Sequence, residues 1–376
     1  MNDEIDKNTN SDIEVNQVED ATSSKEKMIN KGRKHNTKII LMIILFLGVL
    51  LIVSTYAWFS ASLNVKIRFI SMKVASDRGL FISLDGINYT DEVEINTSSI
   101  IYDLKRTYPN HTNQWALGGL WTVSSNGIKT PNDDKFDIYA GLLNKYKTVD
   151  RRGERYLKTA RSDESKPNVV NQFISFDIFL KNVSGSPKPD NLYLTENTYF
   201  DFQDDVEEDI RADMTGIMNS LRLGFVRIGE TNLTATPEVV QNLKCNNGCS
   251  SYIYEPFSKN HTAKSIEDAK EYGLTIEDGQ FYPTYGVYNE GTFLDHKSGY
   301  MGGSTPLDTA HFALQETRTD EDLNKPLFKV PNGVVKVRVY IWLEGQDVDS
   351  LESHSKGAPI KLSIDLEKDL AGYEGF

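Results

Sequence analysis

Val335-Lys336-Val337-Arg338-Val339-Tyr340-Ile341-Trp342-Leu343 alternates without a break: Val335, Val337, Val339, Ile341 and Leu343 fall on one side of an extended chain, and Lys336, Arg338, Tyr340 and Trp342 on the other. Successive side chains of a strand point to opposite faces, so a period of two over this length predicts a β-strand with one apolar and one solvated face. Two further stretches repeat the pattern. Ile360, Leu362, Ile364 and Leu366 alternate with Lys361, Ser363, Asp365 and Glu367, and Ile174, Phe176, Ile178 and Leu180 alternate with Ser175, Asp177 and Phe179. Antiparallel sheets that expose one face have this signature.

Residues 64–75 alternate too, but with a slip of phase. Val65, Ile67 and Phe69 share one parity and Ile70, Met72 and Val74 the other, which predicts a bulge near Phe69-Ile70. Asp85-Gly86 lies between two short apolar stretches and predicts a tight hairpin pairing 80–84 with 87–89. Ile210, Met214, Ile217, Met218 and Leu221 recur at helical spacing behind the acidic start Glu207-Glu208-Asp209, predicting a helix over 207–220 followed by a strand. A second helix is expected over 263–272, and a helical turn near 139–147. Strands dominate and the helices are insertions. The fold class is therefore all-β, an extracellular β-sandwich with small helical insertions, in which each sheet buries its apolar face on the other.

That domain, residues 60–376, follows a run of different character. Ile39 to Phe59 is apolar and free of formal charge. At about 1.5 Å per helical residue it just crosses a hydrocarbon core of about 30 Å, so 39–59 is expected to be a transmembrane helix or signal-anchor. Residues 1–38 are acidic and then basic, with Lys25, Lys27, Lys31, Arg33, Lys34 and Lys38 crowded before the run and no charge after it until Lys66. Basic residues stay in the cytoplasm, which puts a disordered cytoplasmic tail inside and the bulk of the chain outside, a single pass with the C-terminal domain extracellular. The alternative is a cleaved signal followed by secretion.

Net charge of −13 disfavours nucleic acid as a partner. The two cysteines, Cys245 and Cys249, flank Asn-Asn-Gly and would close a short disulfide loop in an oxidising compartment. Among the acids, Glu344, Asp347 and Asp349 follow the best strand and are the residues that would hold a hard cation; a solvated turn is the favoured reading, with no metal and no cofactor. His261, His296, His311 and His354 are scattered, and no nucleophile elbow, phosphate loop or zinc-protease helix is present. No catalytic residue is assigned and a non-enzymatic protein is expected. No wall-sorting signal of the LPxTG kind lies near Phe376.

Thr55-Tyr56-Ala57-Trp58-Phe59-Ser60 resembles the T-[YW]-A-x-F motif that ends the signal segment of TasA/camelysin-type proteins of Gram-positive bacteria. Leu84-Asp85-Gly86 and the Ile341–Asp347 run resemble surface proteins of the same broad group. The likeness covers about a tenth of the chain. It implies a jelly-roll sandwich, processing at Thr55, Ala57 and Trp58 with cleavage near Ala57, and self-association into matrix fibres through exchange of the strand from Ser60 to Ala75. The expected function is that of a membrane-anchored or secreted surface protein, structural, adhesive or biofilm-matrix related, binding itself or a surface polymer. The alternatives are a camelysin-like metal-dependent hydrolase and an anchored ligand-binding module.

Overall fold

The computed structural model describes residues 66–75, 78–125, 135–136, 138–149, 155–161, 172–204, 206–213, 215–246, 249–271, 285–287, 292–294, 312–314, 317–345, 347–350 and 359–369, with Lys38, Ile40, Met42 and Ile43. The chain divides into two units, Met1–Ser60 and Ala61–Phe376. In the first, the four described residues are helical. The expected tail up to residue 37, most of the expected span and the processing residues Thr55, Ala57 and Trp58 lie outside the described residues. Among the described residues no helix is long and apolar enough to cross a membrane.

The second unit is mostly β, with two main sheets. In the first, β15 (Phe328–Val330), β8 (Asp190–Leu194), β17 (Pro359–Asp369), β1 (Lys66–Val74) and β3 (Glu92–Asn96) follow in that order, and β9 (Tyr199–Phe202) also pairs with β17. In the second, β11 (Ser251–Tyr254), β10 (Leu221–Thr231), β16 (Gly333–Glu344), β4 (Thr122–Ser125), β5 (Ile138–Val149), β6 (Arg155–Arg161) and β13 (Thr292–Leu294) form one path, while β7 (Ile174–Asn182) pairs with β16 and with β2 (Leu80–Ser83). A small pair joins β12 (Tyr285–Val287) to β14 (Phe312–Leu314). Apolar side chains of both main sheets, among them Ile70, Met72, Leu362 and Ile364 of the first and Val335, Val337, Val339 and Ile341 of the second, share one buried cluster.

β17 behaves as its alternation predicts: Ile360, Leu362, Ile364 and Leu366 are buried and the residues between them half-buried. β16 does not. All twelve of its residues are buried, so the expected solvated face is covered. Phe136 and Phe173 lie against Tyr340, with ring centroids 5.2 and 5.7 Å away, and Phe136 also reaches Trp342 at 6.0 Å. Gly224 of β10 makes room for this layer, since a Cβ there would stand 2.3 Å from Phe136 Cε2. Further along the same face, Lys336 and Arg338 are held by the buried Asp177 of β7. Arg338 Nε donates to Asp177 Oδ1 at 2.8 Å, Tyr108 Oη donates to Oδ2 at 2.8 Å, and Lys336 Nζ lies 3.4 Å from Oδ2. Burial pushes the Asp177 carboxyl up, but the Arg338 and Lys336 charges outweigh it and bring it down to about 2.

The irregularity expected near Phe69-Ile70 is present: β1 shifts register against β17 between Ile67 and Phe69. Other expectations are corrected. The 80–84/87–89 hairpin does not form. Asp85 instead gathers its own loop, its Oδ1 accepting from Ser83 Oγ and from the Ile87 and Asn88 N–H groups, while Gly86 takes a positive φ of 71°. β2 then pairs with β7, and only Ile82 bridges to Thr90. Residues 139–147 are part of β5, where β4 and β6 flank them as partners, rather than a helical turn. As expected, the described residues of the 207–220 stretch are helical, over Glu208–Asp213 and Thr215–Asn219. Among the described strands, β1 with β17 and β16 with β4 pair in parallel and the other strand pairs are antiparallel.

Candidate functional site

The loop after β16 is not a solvated turn. Glu344, Asp347 and Asp349 are 0, 2 and 1% exposed. The same place receives Arg222 from the start of β10, Glu255 from just past β11, and His261 from just before the helix Ala263–Glu271. Four carboxylates thus meet one guanidinium and one imidazole, and burial makes each charge depend on its neighbours.

Arg222 is the hub. Its Nη2 pairs with Glu255 Oε1 at 2.8 Å and with Asp347 Oδ2, and its Nη1 donates to the Asn219 and Leu221 carbonyls at 2.9 and 3.1 Å. Burial lowers the guanidinium's proton affinity, but Glu255, Asp347 and Glu344 raise it further. Glu344 Oε2 accepts from Trp342 Nε1 at 3.1 Å and from the Ser125 N–H at 3.4 Å, tying the cluster to the covered face of β16. Burial holds the Glu255 carboxyl above its ordinary range, Arg222 opposing and Asp347 adding to the shift.

Asp349 organises the other half. Its Oδ1 accepts from the Thr262 N–H at 2.9 Å and from Ser265 Oγ at 2.6 Å, and its Oδ2 lies 2.6 Å from His261 Nδ1. Thr262 Oγ1 accepts from the Ser265 N–H at 3.1 Å, so the carboxylate also supports the first turn of the helix. Asp347 Oδ1 accepts from the Asp349 N–H at 2.8 Å, which fixes the two acids relative to each other. Burial pulls the His261 imidazole down, but the hydrogen bond to Asp349 and the charges of Asp349, Asp347 and Glu255 outweigh it, and the net shift is upward.

His261, Asp347 and Asp349 offer donor atoms within 4.8 Å of one another, a set of types that zinc accepts. The fit is poor in detail. Two ligands at about 2.1 Å around a tetrahedral ion stand about 3.4 Å apart, whereas His261 Nδ1 and Asp349 Oδ2 are 2.6 Å apart and directly hydrogen-bonded. Arg222 already supplies positive charge at Asp347. The arrangement is that of an ion-pair cluster joining the end of β16 to β10, β11 and a helix start.

Of the residues singled out in the sequence, Glu344, Asp347 and Asp349 come together here, and Cys245 and Cys249 are joined elsewhere by a disulfide with an S–S distance of 2.03 Å. Arg222, Glu255 and His261 were not foreseen. One signal was present: an arginine flanked by Leu221 and Leu223 at the start of an apolar strand needs a buried carboxylate. Comparison with family models, with characterised proteins and with solved structures finds no match.

Proposed function

We propose that this chain is a bacterial surface protein, anchored by Ile39–Phe59 or released by cleavage near Ala57, whose extracytoplasmic domain is a β-sandwich of jelly-roll type with a parallel pairing of its first and last strands. Its role is structural or adhesive, in self-association or in binding a surface polymer. The observation that carries this reading is the position of β1. The strand begins at Lys66, only a few residues past the hydrophobic run, yet it is interior to its sheet, paired with β17 on one side and β3 on the other. A strand so placed and so near a cleavage motif is the part of the domain that a neighbouring copy would replace, since a sheet that loses an interior strand exposes backbone groups on both flanks. The test is to recover the protein from producing cells, determine its N-terminal residue and mass, and sediment it over a range of concentrations. A new N-terminus near Trp58 with concentration-dependent assembly is the expected result for the released form. A retained N-terminus with a monomer that ignores cell-wall and matrix preparations would remove the assembly role.

A second reading, an extracytoplasmic metal-dependent hydrolase, would need His261, Asp347 and Asp349 to part and admit an ion, because His261 Nδ1 and Asp349 Oδ2 are hydrogen-bonded at 2.6 Å. Stoichiometric zinc by elemental analysis, together with peptide cleavage abolished by His261→Ala, would place it first. Protein that contains no zinc and cleaves no peptide would dismiss it.

A further inference from the structure

Away from the acid cluster, the two sheets bring a lysine, an asparagine and an aspartate together in the interior. Lys368 stands on β17 opposite Leu192 of β8. Asn182 ends β7, between Leu80 of β2 and Gly333 of β16. Asp190 opens β8 opposite Val330 of β15. Lys368 and Asn182 are 0% exposed, and so is Asp190. Lys368 Nζ donates to Asn182 Oδ1 at 2.5 Å and to Asp190 Oδ2 at 3.0 Å. Asn182 Nδ2 donates to the same Asp190 Oδ2 at 3.0 Å and to the Val330 carbonyl at 3.0 Å.

A buried ion pair needs no amide between its members. Here the amide is held from both ends: the amine touches its oxygen, and one carboxylate oxygen touches both the amine and the amide nitrogen. A C=O bond of about 1.23 Å puts the amide carbon no more than about 3.7 Å from Nζ, close to the separation of about 3–3.5 Å at which reacting atoms are poised. We propose that Lys368 and Asn182 form an intramolecular isopeptide bond, with Asp190 carrying the protons, so that the last strand of the first sheet is joined covalently to β7 of the second.

The reaction is an amide exchange and needs no oxidant, metal or cofactor. The ammonium of Lys368 gives one proton to Asp190 Oδ2, which turns an ion pair into a neutral pair, a change that burial favours. The Nζ lone pair attacks Asn182 Cγ, a C–N bond forms, and the carbonyl electron pair moves to Oδ1. Asp190 passes its proton to Nδ2 and takes a second from Nζ. The carbonyl re-forms as the Cγ–Nδ2 bond breaks, and its electron pair leaves on ammonia. The products are a secondary amide, one ammonia and a protonated Asp190. All hydrogens are accounted for and no atom changes oxidation state. Fixing amine and amide in contact supplies an effective concentration far above any attainable in solution, and exclusion of water removes the competing hydrolysis of the amide. This inference rests on the three side chains alone and holds whether the chain is anchored or released.

The test is tryptic peptide mapping by mass spectrometry of the full chain purified from cells. The expected result is a branched peptide joining the segment containing Asn182 to the segment containing Lys368, lighter by one ammonia than the two separate peptides, with no cleavage after Lys368. Recovery of both segments unlinked, with trypsin cutting after Lys368, would overturn the proposal. Asp190→Ala keeps both reacting groups and is expected to lose the branched peptide; a full yield of it would overturn the role given to Asp190. Lys368→Arg keeps the positive charge beside Asp190 and is expected to retain its ammonia. Loss of one ammonia from that variant would assign the mass change to another site and defeat the proposal.

Discussion

β16 and β17 have nearly the same alternation, yet one is buried on both faces and the other on one. The difference lies in what stands over the second face. Above β16, Asp177 answers Lys336 and Arg338, and Phe136 and Phe173 cover Tyr340 and Trp342. Above β17, Lys361 reaches outward to Asp201 and the fully exposed Asp204, and Glu367 pairs with Arg78, both partly exposed. An alternating strand therefore reports its own conformation reliably, but not whether its polar face meets water or a second layer.

The largest effect expected from breaking this contrast comes from Asp177→Ala, which leaves Lys336 and Arg338 buried without their carboxylate. It should destabilise the domain by about 3–5 kcal/mol in denaturant unfolding, whereas a loss near zero would mean that the second face of β16 is open to water. Next comes Gly224→Ala. Its methyl would collide with the Phe136 ring and approach Trp342 Cζ3 at 3.0 Å, with a cost of roughly 1–3 kcal/mol and a blue- or red-shift of tryptophan emission as the layer moves. On β17, Lys361→Ala and Glu367→Ala should leave the unfolding midpoint unchanged within error, because exposed pairs add little to stability; a large drop in either would erase the distinction between the two strands.

A further expected effect is a dependence on pH. His261 binds its proton more tightly in the folded chain, so its contribution is complete below the unfolded value of about 6.5 and fades as pH rises through the raised folded value. The cost of His261→Asn should accordingly be greater near pH 5.5 than near pH 9, roughly the two sides of that window. An equal cost at both would show that the imidazole stays neutral beside Asp349.

Strand positions were legible because the side-chain period is local: 174–180, 335–343 and 360–366 needed no partner to be recognised. The cover of β16 was not legible, because Tyr108 and Asp177 lie 228 and 161 residues from the side chains they meet, Lys336 and Arg338. Asp85-Gly86 misled in another way. It bears the residues of a two-residue turn, but the Asp85 carboxylate captures the Ile87 and Asn88 N–H groups and widens the loop, and β2 is free to pair with β7. Residues 138–149 are held as a strand by β4 and β6, an influence from outside the segment that local spacing does not carry. At the acid cluster, the triplet Glu344, Asp347 and Asp349 was visible as a motif, but its meaning depended on Arg222, Glu255 and His261, which arrive from three other elements.

The parallel register of β1 with β17, from Lys66 opposite Pro359 to Val74 opposite Leu366, has a mechanical consequence. In a parallel pair, the start of the first strand and the end of the last point to opposite ends of the ladder. A tension applied between them runs along the strands and loads every rung at once, in shear, instead of peeling the rungs one by one. The domain is thus wired to resist a pull along its own chain, and the force that separates β1 from β17 should greatly exceed the force that strips β3 from the other side of β1, where an antiparallel neighbour pulled from one end unzips.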